Sequence, residues 1–281
     1  MSPPTDPGRQ SAGPLVTMVV PSYNHAQYLP AALDSLLAQD YQPLEVIVVD
    51  GGSTDGTLDI LRGYDGRLKW VSEPDHGMYE AVNKGWRMGH GEYVGFLNSD
   101  DLLCPGALLE LAGHLTRHPA TGLVYGDYYR IDEAGAVLER FSASPQTTDS
   151  LLQNGNSIFT GAMLLRRELL ATIGWLDETL KCSADYDFVI RASRQHRLDH
   201  LPLPLAKFRM HTHSKSQNSQ QEMWREALAI SAKYSGRRQW GLITRYWFDT
   251  FIRRAIPGRL LWSARLVPMR KLLRRLWQLG Q

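Results

Sequence analysis

Asn98-Ser99-Asp100-Asp101 places two adjacent carboxylates directly behind the apolar run Tyr93-Val-Gly-Phe-Leu97. Paired acids make poor core material there but good hard-oxygen ligands for Mg²⁺ or Mn²⁺, ions that keep several waters and share phosphate oxygens. Asp101 has a second reading, as an N-cap ahead of a helix opened by Pro105. Further on, Ala184-Asp185-Tyr186-Asp187 opens a helical pattern with Arg191 in its next turn. A carboxylate at a helix start stays ionised near neutral pH, which suits Asp185 to take a proton from a hydroxyl. Asp187, four residues before Arg191, reads as that arginine's structural partner.

Polar groups close other short apolar runs in the same way. Pro21-Ser22-Tyr23-Asn24 follows Val16–Val20, and Asp50-Gly-Gly-Ser-Thr-Asp-Gly56 follows Glu45–Val49. Glu73-Pro74-Asp75-His76-Gly77 follows Leu68–Ser72. Runs this short and rich in Val and Ile read as buried parallel strands. In an open α/β sheet, ligands bind beyond the carboxyl ends of the strands. A tyrosine at such an end can stack on a base, and the Asp50 carboxylate can accept an imide N–H. Turn formation and helix capping by the Asp50 loop are compatible with that contact.

The pattern between these loops predicts how they are positioned. Strands are expected at Leu15–Val20, Glu45–Asp50, Leu68–Ser72 and Glu92–Asn98. Helices are expected over Tyr28–Ala38, from Ser53 or Thr54 to about Gly63, over Met78–Met88, and from Pro105 to near His118. This βα alternation argues a parallel sheet covered by helices. Gly122–Ile131 and Ala136–Phe141 flank Asp132-Glu-Ala-Gly135 as a hairpin. A strand at Ala162–Leu165, a helix at Asp185–Gln195, a strand at Leu198–Phe208 and a helical region from Gln217 follow.

Taken in order, the motifs V-P-S-Y-N, V-V-D-G-G-S-T-D-G-T, S-E-P-D-x-G-x-Y-x-A-x-N-K-G, N-S-D-D and A-D-Y-D-F-x-x-R resemble the family 2 glycosyltransferases of GT-A fold, among them bacterial polysaccharide-biosynthesis members. The resemblance covers roughly residues 15–215. It implies a metal-dependent, inverting transfer from a nucleotide-sugar donor to a saccharide or lipid-linked saccharide. It further implies that Pro21, Tyr23, Asn24 and Asp50 line the nucleobase pocket, that Asp75 and Lys84 lie beside the donor, and that Asn98 and Ser99 contact the nucleotide. Asp100, with Asp101 and His211, would hold Mn²⁺ or Mg²⁺, and Asp185 would be the catalytic base. Lys84 has an alternative as a solvated helix lysine, because many relatives carry an arginine near this helix and Met78–Val82 has none. Gly161-Ala162 would line an acceptor cleft, and His213 is a weaker ligand candidate than His211.

Composition divides the chain into a lead-in (1–14) expected to be disordered, a GT-A domain (15–215) and a helical basic region (216–281). Arg237 to Gln281 hold 11 Lys/Arg and one acid, and the rest of the chain 20 basic and 28 acidic residues. Trp262, Leu266, Met269, Leu273 and Leu276 fall on one helical face, with Arg270, Lys271, Arg274 and Arg275 on another. That face suits a peripheral membrane contact, packing on its own domain, or a homodimer; no nucleic-acid module accompanies the charge. Two cysteines outside any CxxC pair, no secretory h-region and no apolar run of spanning length suggest a cytoplasmic protein, at most at the inner face of the inner membrane. Two rival readings stand. A sugar-phosphate nucleotidyltransferase should carry a Gly-rich, basic phosphate loop after strand one, and Ser22–Leu29 has no Gly, Lys or Arg. A non-catalytic nucleotide-sugar-binding protein would need no base, yet Asp185 is retained.

Overall fold

The computed structural model describes residues 13–212, 214, 218–236 and 239–247. The basic face from Trp262 to Arg275, residues 1–12 and His213 lie outside them. Strands β1 (Val16–Ser22), β2 (Leu44–Asp50), β3 (Lys69–Ser72) and β4 (Tyr93–Phe96) alternate with helices α1 (Leu29–Leu37), α2 (Thr57–Arg62) and α3 (Met78–Met88), as their patterning predicts. After the two-residue β5 (Leu102–Leu103) come α4 (Ala107–Arg117), the hairpin of β6 (Thr121–Ile131) and β7 (Val137–Phe141), α5 (Thr148–Asn154) and β8 (Met163–Arg166). Helices α6 (Glu168–Ile173) and α7 (Ala184–Gln195), strand β9 (Arg197–Arg209) and helices α8 (Gln220–Ser235) and α9 (Trp240–Trp247) complete the described chain.

One sheet results, ordered β3-β2-β1-β4-β8-β6-β9-β5, with β7 on β6. β1 pairs in parallel with β2 and β4, and β2 with β3. β8 runs antiparallel to both β4 and β6, and β6 is parallel to β9. Hence β1–β4, β6 and β9 all end at the same edge of the sheet, and that edge collects the chemistry. Because α7 runs back along the sheet before β9, its N-terminus lies at this edge too.

Alternate residues of the central strands feed two cores, so both faces are dry. Val19, Ile47 and Val49 pack with Tyr79, Val82 and Trp86 of α3 and Phe188 and Val189 of α7. Met18, Val20, Val46 and Val48 pack with Leu29, Leu33 and Leu36 of α1 and Leu108, Leu111 and Leu115 of α4. The buried Trp86 indole donates to the Gly95 carbonyl at 3.1 Å, tying α3 to β4. α3 packs closely on β1 at Gly85, where an added Cβ would lie 2.5 Å from Val19 Cγ1. Gly85→Ala is therefore expected to destabilise the fold by about 1–3 kcal/mol through overpacking. A thermal midpoint no lower than that of the parent would contradict this packing.

Some boundaries move for identifiable reasons. The second helix starts at Thr57, not Ser53, because the Ser53 hydroxyl and N–H are both spent on Asp50 while Asp55 accepts from the Thr57 N–H at 3.1 Å. α5 was not expected. It is too short for periodicity and is defined by a reciprocal capping box between Thr147 and Ser150. Helices α8 and α9 are fastened to the elements before them. Ile230 joins the α3–α7 core, the Ser231 hydroxyl donates to Leu152 O at 2.9 Å, and Arg245 of α9 donates to Asn154 O at 2.7 Å.

Candidate active site

The first three strand ends make a braced rim. Tyr23 projects from it, 61 % exposed. Asn24 adopts φ 52°, a conformation that asparagine tolerates. Its N–H donates to Ser53 Oγ at 2.7 Å and its side-chain carbonyl accepts from Thr54 N at 2.9 Å. Asp50 stands at the predicted strand end, but its carboxylate faces its own loop and is fully buried. Oδ2 accepts from Gly52 N (3.1 Å), Ser53 N (2.9 Å) and Ser72 Oγ (2.7 Å), and Oδ1 from Ser53 Oγ (2.5 Å). These bonds fix the rim around Asp50, and Oδ1, which takes one of them, keeps acceptor capacity. Pro21 is buried in β1.

Asp75 lies against this loop: a Cβ on Gly51 would sit 2.9 Å from its Oδ2. Burial is the main influence raising its carboxyl above the usual range, with Glu80 and Asp50 adding to it. Lys84 pairs with Glu73, which ties α3 to the β3 loop. The neighbouring Asn83 is fully buried and braces α3 against Leu176 through both amide atoms, accepting from its N–H at 3.1 Å and donating to its carbonyl at 2.9 Å.

The four residues after β4 divide their tasks. Asp100 points its Oδ2 at His211 Nε2, 2.9 Å away, joining residues 111 positions apart. Asp101 was expected to share a metal, yet it is fully buried with both oxygens taken: Oδ1 accepts from Arg209 N at 2.9 Å and Oδ2 from Asn98 Nδ2 at 3.0 Å. Burial, with the adjacent Asp100 charge, holds its carboxyl well above the usual range. Asp101 thus fastens the β4 loop to the end of β9. Ser99 is buried and its hydroxyl lies 2.7 Å from His25 Nδ1.

Several site residues were not singled out from sequence. The His25 ring lies 6.1 Å from that of His211, and Tyr28 lies 4.7 Å from it. Burial lowers the pKa of His25 against the opposing pull of Asp100. The Tyr28 hydroxyl donates to Glu133 at 2.8 Å, and Arg209 lies over its ring while donating to Asp100 O at 2.8 Å. His25 directly follows the strand-end motif at Asn24, which is the one local signal for it.

Do these groups suit a divalent ion? Among the described residues the buried His211 Nδ1 has no hydrogen-bond partner, while Nε2 meets Asp100. Among the described residues no cluster of three or more His, Cys, Asp or Glu is built to hold a metal. One carboxylate and one imidazole fit an ion whose remaining ligands are water and phosphate oxygens, the habit of Mg²⁺ and Mn²⁺.

Asp185 stands half-buried in the first turn of α7. Burial pushes its carboxyl up to about 6, against hydrogen bonds from the Tyr186 and Asp185 N–H groups, the Tyr79 hydroxyl and Asn156. Tyr79 belongs to the first turn of α3, just after the Asp75 loop, so Asp185 is linked to the rim. Asp187 accepts from Arg191 Nε at 2.7 Å, the structural pairing its spacing predicts. Gly161 and Ala162 form a buried turn at the head of β8, at the same edge.

With this geometry in view, comparison with known proteins is informative. Residues 17–174 match the model of Glycosyl transferase family 2. The chain belongs to that family. It is 35% identical over 189 residues to a PGL/p-HBAD biosynthesis glycosyltransferase of Mycobacterium tuberculosis, covering 64% of this chain and 70% of the relative. An uncharacterized glycosyltransferase of Rickettsia bellii is 32% identical over 212 residues, 72% of this chain; the match spans only 31% of that longer relative. Among solved structures, S. aureus TarS 1–349 with UDP-GlcNAc superposes with TM-score 0.64 at 19% identity, covering 90% of this chain and 77% of TarS. The mannosyltransferase PcManGT of Pyrobaculum calidifontis, with GDP-Man and Mn²⁺, gives 0.63 at 22% identity, covering 98% and 82%. These likenesses show a GT-A fold. Among the described residues of this family member, no helix is long and apolar enough to cross a membrane.

Proposed function

We propose that the protein moves a sugar from a nucleoside-diphosphate sugar to an acceptor hydroxyl, with inversion at the anomeric carbon. The observation that carries this reading is Asp185: a carboxyl raised to about 6, at the sheet edge where Asp100 and His211 meet. An acid with that pKa is ionised at pH 7 yet basic enough to accept a proton in the transition state. The acceptor oxygen bonds to C1 as the C1–O bond to the diphosphate breaks. The hydroxyl proton passes to Asp185, and the nucleoside diphosphate leaves. Tyr23 offers its ring to the base from the rim that Asp50 and Asn24 brace. Asp100 and His211 would hold Mn²⁺ or Mg²⁺, which supplies charge neutralisation for the leaving diphosphate. The UDP-GlcNAc of TarS and the GDP-Man and Mn²⁺ of PcManGT support a donor and an ion of these classes.

A thermal-shift screen of UDP-, GDP- and TDP-sugars with and without Mn²⁺ tests the reading, since binding to the native state raises the midpoint by mass action. No shift with any donor would sink it. A lipid-linked saccharide is the proposed acceptor, supported by the basic stretch from Arg237 onward. The full chain is then expected to sediment with anionic vesicles at low salt and to be released at high salt. Protein that stays in the supernatant at low salt contradicts membrane contact.

A further inference from the structure

We infer that Glu226 of α8 is a positioning residue for Asp185: its carboxylate clamps the segment from Lys181 to Ser183 and so sets where α7 begins. Glu226 is 8 % exposed. Its Oε1 accepts from Lys181 N at 2.7 Å, and its Oε2 from Cys182 N and Ser183 N, both at 2.9 Å. Three consecutive amides on one carboxylate form an anion-binding concavity of backbone N–H groups. Here the anion is a side chain delivered by another helix.

The clamp fills a gap that α7 leaves in itself. Ser183 stands at the N-cap, a position where a serine ordinarily accepts from the first turn, yet its side chain makes no capping bond. Its hydroxyl donates instead to Met223 O of α8 at 3.2 Å. Met223 and Glu226 lie three residues apart, on one face of α8. The Glu226 charge therefore sits at the positive end of α7, where a negative charge is favoured. Two residues beyond the clamped segment stands Asp185, whose own contacts, Tyr79 and Asn156, come from other elements. A shift of the α7 start moves the carboxylate relative to all of them.

The rest of α8 does not depend on Glu226. Ile230 is buried in the core, the Tyr234 hydroxyl donates to Asp187 at 2.8 Å, and Arg194 donates to Tyr234 O at 2.9 Å. Removing the carboxylate thus frees the loop while α8 stays docked. A glutamine keeps one acceptor oxygen but turns an NH₂ group toward the amides, so it restores part of the clamp.

The inference rests on Asp185 being the base, and the experiment separates the two. Amide hydrogen exchange on the full-length protein reads the clamp directly. Protection of the 181–183 amides is expected to fall at least about tenfold in Glu226→Ala, less in Glu226→Gln, and unchanged protection would overturn the clamp. Turnover is read as UDP release from UDP-GlcNAc and GDP release from GDP-mannose. Glu226→Ala is expected to lower kcat by about 10–100-fold with donor KM within about twofold, and Glu226→Gln to fall between it and the parent. Freed amides with unchanged kcat would overturn the positioning role. Full activity of Asp185→Asn would instead remove the base assignment and leave the exchange result standing. Should Glu226→Ala fail to fold, both readouts are taken on Glu226→Gln.

Discussion

Asp185→Asn is expected to lower kcat by about 10²–10⁴-fold while leaving donor binding intact, because it removes the proton acceptor and little else. Asparagine has nearly the same shape and can still accept from Tyr79 and the first-turn amides. The parent enzyme should lose kcat/KM about tenfold per pH unit below about 6, as the carboxyl that burial has raised becomes protonated. The stability consequence has the opposite sense. The folded pKa of about 6 exceeds the reference 3.8, so the native state binds this proton more tightly than the unfolded chain does. Stability is therefore lost as pH rises through that window, by at most about 3 kcal/mol. Asp185→Asn escapes the penalty and should unfold at a higher temperature than the parent at pH 8, with the advantage gone near pH 4. Turnover at the parental rate, or an unchanged acid limb, would end the case for Asp185 as base.

Asp100→Ala should abolish the Mn²⁺-dependent part of the donor-induced thermal shift, read against the variant's own apo midpoint. A ligand at about 100 times its Kd stabilises by about 2.7 kcal/mol, a shift of several degrees that is easily read. Among the described residues Asp100 has one side-chain hydrogen bond to lose, the 2.9 Å approach to the buried His211 Nε2, so truncation is expected to lower the apo midpoint by the equivalent of about 1–3 kcal/mol without dismantling the loop. Asp101 is the internal contrast. Its two oxygens satisfy Arg209 N and Asn98, so alanine there would orphan buried donors and unravel the loop itself. A metal-dependent shift that survives Asp100→Ala would move the ion's site elsewhere.

Much of this was legible in the linear chain because period and punctuation are local. The Val/Ile runs ending at Ser22, Asp50, Ser72 and Phe96 announce parallel strands, and the polar residues after them announce a ligand edge. The Asp187–Arg191 pair follows from helical spacing alone. What the linear chain could not apportion was work among neighbouring carboxylates. Asp100 and Asp101 are adjacent and chemically alike, yet one meets His211 and the other is buried against Arg209, since successive side chains diverge and β9 packs on only one of them. Only the folded rim shows that Asp50 also braces its own loop, because a buried carboxylate fills its lone pairs from the nearest donors. Glu226 and Tyr79 carry no motif that links them to Asp185. Their partnership exists only once α8 and α3 dock beside α7, and packing of elements distant in sequence is a property no local pattern encodes.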